Sequence, residues 1–168
     1  AVFRPQIAYR SQALSDILPT THKLRKSVDT IIAAAASGEV NIKDLQIQNI
    51  KVGDLVIDTY LRFKPSPYFK IDDPFVKKIL IQTHRDVARS LRYFHRVKPH
   101  AYLTSYSVYL QHGIAVRAAL SADVPVYSFG SKLRFSKKLT KADNFHTPNV
   151  NNYKLEFDQL PRNQKHEA

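Results

Sequence analysis

The clearest periodicity in the chain lies in residues 74–97, where apolar side chains recur at intervals of three and four. This spacing is typical of an amphipathic helix. Pro74 suits the first turn of that helix and Asp73 suits its N-cap. The apolar face consists of Val76, Ile79, Leu80, Val87, Leu91 and Phe94. The opposite face is basic and consists of Lys77, Arg85, Arg89, Arg92 and Arg96. It is either an ordinary solvent-exposed face or a surface that binds anions.

Shorter patterns precede this helix. A first helix is predicted to end at Gly38. Its apolar face consists of Leu24, Val28, Ile31, Ile32 and Ala35. From Leu45 to Val52 apolar and polar residues alternate, which predicts a short strand or hairpin arm. A second helix is predicted after Asp54, a residue that suits its capping position, and Pro65 stops it.

The middle of the chain predicts a strand, a helix and a second strand. Residues 99–105 and 124–130 are short apolar runs of the buried-strand type, and residues 105–122 between them have helical character. This spacing is typical of a β-α-β crossover, which builds parallel sheets flanked by helices. Ligands gather beyond the carboxyl ends of such strands, here residues 104–107 and 128–132.

Charge is concentrated in the same part of the chain. The 168 residues carry 26 Lys plus Arg against 14 Asp plus Glu, a formal net charge of +12. Residues 74–142 contribute thirteen basic and two acidic side chains, a net +11, against +2 for residues 1–73 and −1 for residues 143–168. Such a field favours an anionic partner, whether nucleic acid, an acidic membrane surface, or a phosphorylated or acidic sugar.

Composition excludes several kinds of chemistry. Cys, Met and Trp are absent, so disulfides and thiolate sites are excluded, and from the start at Ala1 we interpret the chain as a fragment. The four glycines form no nucleotide loop, so no cofactor is predicted, and the seven histidines lack the spacing of metal ligands. No apolar run reaches the roughly 18 residues of a membrane span, and no signal peptide is visible, which predicts a cytoplasmic chain.

The candidate ligand-binding side chains follow the first of the two central strands. Ser105 or Ser107 is predicted to cap the central helix, either as a plain cap or with backbone N–H groups left to meet an anion. His112 is either a packing residue or a base that acts on a sugar hydroxyl at neutral pH. Tyr106 and Tyr109 either stack on a sugar ring or a base, or form an edge of the core.

Nucleic-acid binding is the alternative function. Residues 91–98 and 132–138 interleave aromatic with basic side chains, as a single-strand binding protein does. Against this alternative, the sequence contains no helix-turn-helix, zinc-finger, ribonucleoprotein or KH-type signature.

Residues 50–63 and 102–130 resemble bacterial surface-polysaccharide biosynthesis proteins, a GT-B-like glycosyltransferase group of capsule and lipopolysaccharide clusters. The matching positions of the first segment are Gly53, Asp54, Leu55, Asp58, Tyr60, Leu61 and Arg62. Those of the second are Ser105, Tyr109, Gly113, Arg117, Ala118, Pro125, Val126 and Tyr127. The sequence departs from the group at Ala122 and Asp123, where the group tends to have a glycine.

The resemblance implies an α/β fold in which residues 1–142 are a Rossmann-like parallel sheet with flanking helices, followed by a polar tail or linker over residues 143–168. This domain would be the acceptor-side half of a two-domain GT-B enzyme. The nucleotide sugar would bind to the other half, so the fragment alone is expected to be inactive. The acceptor would be a glycan or lipid-linked glycan at the inner membrane, with peripheral contact to acidic lipid. The side chains implied to contact the acceptor are Ser105, Tyr106, Ser107 and His112, with Asp58 and Arg62 as second candidates.

Overall fold

The computed structural model describes residues 18–129, 137–143 and 157–165. The elements of the amino-terminal part are α1 (Leu18–Ala36), a 3-10 helix (Ile42–Asp44), β1 (Gln46–Ile47), β2 (Ile50–Lys51), α2 (Gly53–Phe63) and α3 (Pro74–Val97). Those that follow are β3 (Tyr102–Thr104), α4 (Tyr109–Ser121), β4 (Val126–Ser128), β5 (Lys137–Leu139) and α5 (Arg162–Lys165). In the described ranges, no helix has the length and apolar character needed to cross a bilayer.

The alternating pattern before α2 is a β-hairpin. β1 and β2 are antiparallel, with Ile47 opposite Ile50. Gln48 and Asn49 form the turn with φ of 50° and 63°, the left-handed conformation that a type I′ turn requires at both positions. The predicted hairpin arm is therefore confirmed, and its apolar residues are all buried: Leu45, Ile47, Ile50 and Val52.

The ends of α3 are fixed by local hydrogen bonds. The Asp73 carboxylate accepts from the N–H of Phe75 at 2.8 Å, which confirms the predicted N-cap. This bond is the main cause that lowers the pKa of Asp73. At the other end Lys98 adopts a left-handed conformation, and its N–H donates to the carbonyl of Phe94 at 3.0 Å.

The larger sheet of the described residues has the order β3-β4-β5. β3 and β4 are parallel and α4 connects them, so the predicted β-α-β crossover is confirmed. β5 is antiparallel to β4, although Lys137–Leu139 falls in a polar segment that has the pattern of a loop. The loop prediction is wrong there because pairing with β4, which local composition does not encode, forms the strand. The described fold is thus mixed α/β, and the rest of the predicted loop lies outside the described residues.

Only one face of this sheet is buried against helices. Tyr102, Val126 and Leu139 lie in one row across the three strands, and Phe94 of α3 packs edge-on against the Tyr102 ring. Successive side chains of a strand point to opposite faces. Leu103 therefore points away from the helices and is largely exposed. The predicted strand is present, but the prediction that it is buried is wrong for this reason.

The described core has two parts that α3 joins. The first gathers side chains of α1, the hairpin, α2 and α3 around Leu55 and Leu80. The second lies between the last turns of α3, α4 and the sheet, around Phe94 and Val126. Leu91 of α3 packs against both parts. α3 and α4 both supply side chains to the two parts, so the two halves of the described fold meet on these helices.

His84 is a half-buried side chain of α3. Its Nε2 atom is enclosed and has no hydrogen-bond partner among the described residues. Burial lowers the pKa of His84 below the ordinary 6.5, because the charged imidazolium is poorly solvated there. In the unfolded chain the His84 imidazole takes up a proton near pH 6.5. In the folded chain it does so only at lower pH. The folded state is therefore expected to lose stability as the pH falls below 6.5.

We expect a His84→Gln variant to lose less stability than the wild type between pH 7.5 and pH 5.5, because glutamine does not titrate. Urea unfolding at both pH values measures the difference. A His95→Gln variant, changed at an exposed position of the same helix, should keep the pH dependence of the wild type. Equal pH dependence in the wild type and the His84→Gln variant would contradict the effect of burial.

Candidate functional site

A buried ion pair joins α2 to α4. The Arg117 guanidinium donates to both carboxylate oxygens of Asp54, at 2.7 Å and 2.6 Å, and Nη1 also donates to the carbonyl of Lys51 at 2.6 Å. Only 9% of the Arg117 side chain and 10% of the Asp54 side chain are exposed. The prediction that Asp54 caps α2 is wrong, since Val52 is the N-cap residue and the Asp54 carboxylate faces α4.

Two glycines allow the backbone to approach closely around this pair. A Cβ at Gly53 would lie 1.8 Å from the carbonyl oxygen of Ile42, so α2 packs directly on the 3-10 helix. A Cβ at Gly113 would lie 2.5 Å from Cδ2 of Leu55, so α4 packs directly on α2. The residues that carry the resemblance in the two segments therefore belong to one packed unit.

The first turn of α4 is capped from a neighbouring helix. The N–H of Leu110 donates to the hydroxyl of Thr59 on α2 at 3.0 Å, and the N-cap residue, Val108, makes no side-chain cap bond. The prediction that Ser105 or Ser107 caps α4 is wrong, because the helix begins at Tyr109 and Val108 is its N-cap residue. The Leu110 N–H is consequently not available to an anion.

Tyr109 opens α4 with a strained backbone. Its φ of 59° is unfavourable for a residue with a side chain, at a cost on the order of 1–3 kcal/mol. The Arg62 guanidinium of α2 lies over the Tyr109 ring, 4.6 Å from its centroid. This cation–π contact brings together two of the predicted site residues that lie far apart in the sequence.

A second aromatic contact lies at the carboxyl end of β3. The rings of Tyr106 and His112 have centroids 5.6 Å apart with planes inclined by 34°. The Tyr106 backbone is held by the buried Thr104, whose hydroxyl accepts from the Tyr106 N–H at 3.2 Å. Tyr106 is 58% exposed and His112 is half-buried, so the stacked pair is open to solvent on the Tyr106 side.

We name the two contacting pairs, Arg62–Tyr109 and Tyr106–His112, together the aromatic cluster. Ser105 is exposed beside it, whereas Ser107 is buried. The cluster lies at the amino end of α4, which is the carboxyl end of the parallel strand β3. This is the edge of the sheet at which ligands bind in open α/β folds.

A separate cavity lies at the opposite end of α4. It is a surface cleft of about 870 Å³ that includes Ser121, the last residue of α4, and Lys141, which follows β5. Of the predicted site residues only Asp58 lines it. Its lysines, Lys43, Lys51 and Lys141, come from separate segments, and no local sequence pattern unites them.

The charges of the cleft are mostly compensated within the protein. Lys51 pairs with Asp44 at 3.1 Å, and Lys141 pairs with Asp123 at 2.9 Å. Burial alone would raise the pKa of Asp143, but its hydrogen bonds with Lys137 and Thr140 outweigh burial and lower the pKa. The cleft therefore presents a weak net field, and the aromatic cluster is the better candidate site.

The described fold and surface define a mixed α/β protein with an exposed aromatic cluster at the carboxyl end of a parallel strand. Within the described ranges, no three His, Cys, Asp or Glu side chains are grouped so as to hold a metal ion. A comparison with protein-family models, curated proteins and solved structures finds no match.

Replacement of Arg117 by Met is expected to destabilise the protein by about 3–5 kcal/mol, because Asp54 would lose its guanidinium partner inside the core. The double variant Asp54→Leu/Arg117→Met should recover most of that loss, since it removes both charges. Denaturant unfolding of the two variants and the wild type measures both values. A double variant as unstable as Arg117→Met would show that the loss comes from packing and not from the buried charge.

Proposed function

We propose that the chain is the acceptor-binding, Rossmann-like half of a GT-B glycosyltransferase that builds bacterial surface polysaccharide. The observation that carries the proposal is the exposed Tyr106 ring stacked on His112 at the carboxyl end of β3. The parallel β3-α4-β4 crossover supports it, because a Rossmann-like sheet is built from such units. The Asp54–Arg117 pair supports it as well, since it joins the two segments that resemble this group.

The aromatic cluster has the chemistry of a sugar-binding surface. The exposed face of Tyr106 offers an apolar plane for the C–H face of a pyranose ring, and its hydroxyl can donate or accept a hydrogen bond. Ser105, the preceding residue, is exposed as well. Arg62 is exposed beyond Tyr109, and a guanidinium pairs well with the carboxylate or phosphate of an acidic acceptor. Asp58 faces the cleft and is left out of this surface.

His112 is the proposed base of the reaction. The acceptor hydroxyl gives its proton to the imidazole, and its oxygen forms the new bond to the anomeric carbon of the donor sugar. The bond from that carbon to the nucleotide diphosphate breaks, and the diphosphate leaves with the electron pair. The donor is held by the second domain of the enzyme. Histidine suits this role because its ordinary pKa lies near neutral pH.

A Tyr106→Ala variant is expected to bind acceptor oligosaccharides about tenfold more weakly than the wild type, equivalent to about 1.4 kcal/mol. Saturation-transfer NMR with a panel of oligosaccharides released from bacterial capsules and lipopolysaccharides identifies a ligand, and a titration then gives the affinities. Tyr68→Ala is the matched control, because Tyr68 is also 58% exposed but lies between α2 and α3. If the wild type binds no member of the panel, or if both variants lose affinity equally, the acceptor surface is wrong.

A His112→Ala variant of the full-length enzyme is expected to reduce kcat by about 10²–10⁴-fold while the protein stays folded, because general-base catalysis contributes that much. Transfer of a radiolabelled sugar measures kcat, and circular dichroism reports the fold. His95→Ala changes an exposed histidine on α3 and should leave transfer unchanged. Undiminished turnover in the His112→Ala variant would remove His112 from the reaction but leave acceptor binding by Tyr106 intact.

A further inference from the structure

A third exposed ring extends the aromatic cluster onto the end of α2. Phe63 is the last residue of α2, and it is 53% exposed. The guanidinium of Arg62, which is itself exposed, lies 5.9 Å from the centroid of the Phe63 ring and 4.6 Å from that of the Tyr109 ring. One exposed cation therefore contacts a ring from each of the two helices.

This end of α2 and the stacked pair of α4 belong to one stretch of surface. Tyr109 and His112 are three residues apart on α4, and residues at this spacing are neighbours on one side of a helix. His112 in turn contacts the Tyr106 ring. A series of neighbouring side chains thus leads from Tyr106 to Phe63, with a largely exposed ring at each end.

The charge of Arg62 is not balanced by an ion pair. Among the residues that the structure describes, Arg62 lies within ion-pair distance of no carboxylate. Asp58, one turn earlier on α2, lines the cleft at the other end of α4. A cation–π contact supplies no negative charge, so the guanidinium can still pair with a carboxylate from outside.

We propose that Arg62 and Phe63 form a second sugar subsite, which binds an acidic sugar next to the sugar that reacts. The Phe63 ring packs against the C–H face of this second sugar, and the Arg62 guanidinium pairs with its carboxylate. The reacting sugar lies on Tyr106, beside His112. The second subsite rests on the proposed acceptor surface. It narrows the acceptor to a chain of sugars with an acidic unit directly behind the reacting one.

The test compares three ligands by titration in saturation-transfer NMR. The first is a capsule oligosaccharide with a hexuronic acid next to its terminal sugar. The second is the same oligosaccharide after chemical reduction of the carboxyl group to an alcohol, and the third is the terminal sugar alone. We expect the wild type to bind the acidic oligosaccharide about fivefold more tightly than the reduced one, and this preference should fall with added salt.

The Arg62→Gln variant is expected to bind the acidic and the reduced oligosaccharide equally well, because the partner of the carboxylate is gone. If Arg62 served only to support the Tyr109 ring, the variant would bind both oligosaccharides more weakly and would keep the preference for the acidic one. The ratio of the two affinities therefore separates recognition of the acid from a structural role.

The Phe63→Ala variant is expected to bind both oligosaccharides about fivefold more weakly and to bind the terminal sugar as the wild type does. Tyr68→Ala is the matched control, because Tyr68 is also an exposed ring beside a cation, Lys70 at 5.1 Å. It should bind all three ligands as the wild type does. Thermal unfolding verifies that the variants are folded.

Equal affinity of the wild type for the acidic and the reduced oligosaccharide would overturn the second subsite and leave the acceptor surface at Tyr106 standing. An unchanged preference in Arg62→Gln, or equal effects of Phe63→Ala and Tyr68→Ala, would overturn the subsite in the same way. If the wild type binds none of the three ligands, the second subsite and the acceptor surface are both wrong.

Discussion

The bidentate pair between Asp54 and Arg117 is the constraint on which the described arrangement depends. Removal of two charges from water is costly, and the cost is offset only when geometry and hydrogen bonding are nearly complete. Here the guanidinium meets both carboxylate oxygens and the carbonyl of Lys51. These partners belong to α4, α2 and β2, so a shift of any one element would break bonds inside the core. The pair thereby fixes α4 relative to α2 and the hairpin.

The fixed position of α4 explains the unusual start of that helix. Thr59 of α2 lies where it can accept from the Leu110 N–H, and this bond replaces a local cap. Tyr109 is held with a positive φ, since the next residue, Leu110, is bonded to Thr59 and the Tyr109 ring packs against Arg62 of α2. Packing of the helices beneath this segment therefore sets the path of the chain between β3 and α4. The Tyr106 side chain is left exposed to solvent. A surface held in this way is suited to a ligand, since little order is lost on binding.

The sequence predicts those parts of the fold that depend on local rules. The period of three and four defines α3, the Asp73 cap defines its start, and alternation around Ile47 and Ile50 defines the hairpin. The prediction that Asp54 is a helix cap is wrong because its carboxylate pairs with Arg117, 63 positions away. Local sequence rules consider only that a carboxylate stands at a helix start. The family resemblance did point to both members of the pair, since Asp54 and Arg117 belong to its motifs. The sequence indicates Tyr106 and His112 as candidate site residues, but only the structure shows that their rings contact each other.

The distribution of ion pairs shows which parts of the net charge are balanced within the protein. The cleft is rich in lysine, yet Lys51 and Lys141 are paired with carboxylates of the same region, so their charges are partly balanced within the protein. α3 itself contains six basic side chains and one acidic side chain, Asp86. Because both parts of the core hold the apolar side of α3, rotation cannot bury or redistribute this charge. α3 thus contributes a net +5 of the +11 carried by residues 74–142, on a helix that the core holds in place, so this charge acts on its surroundings without any rearrangement of the protein.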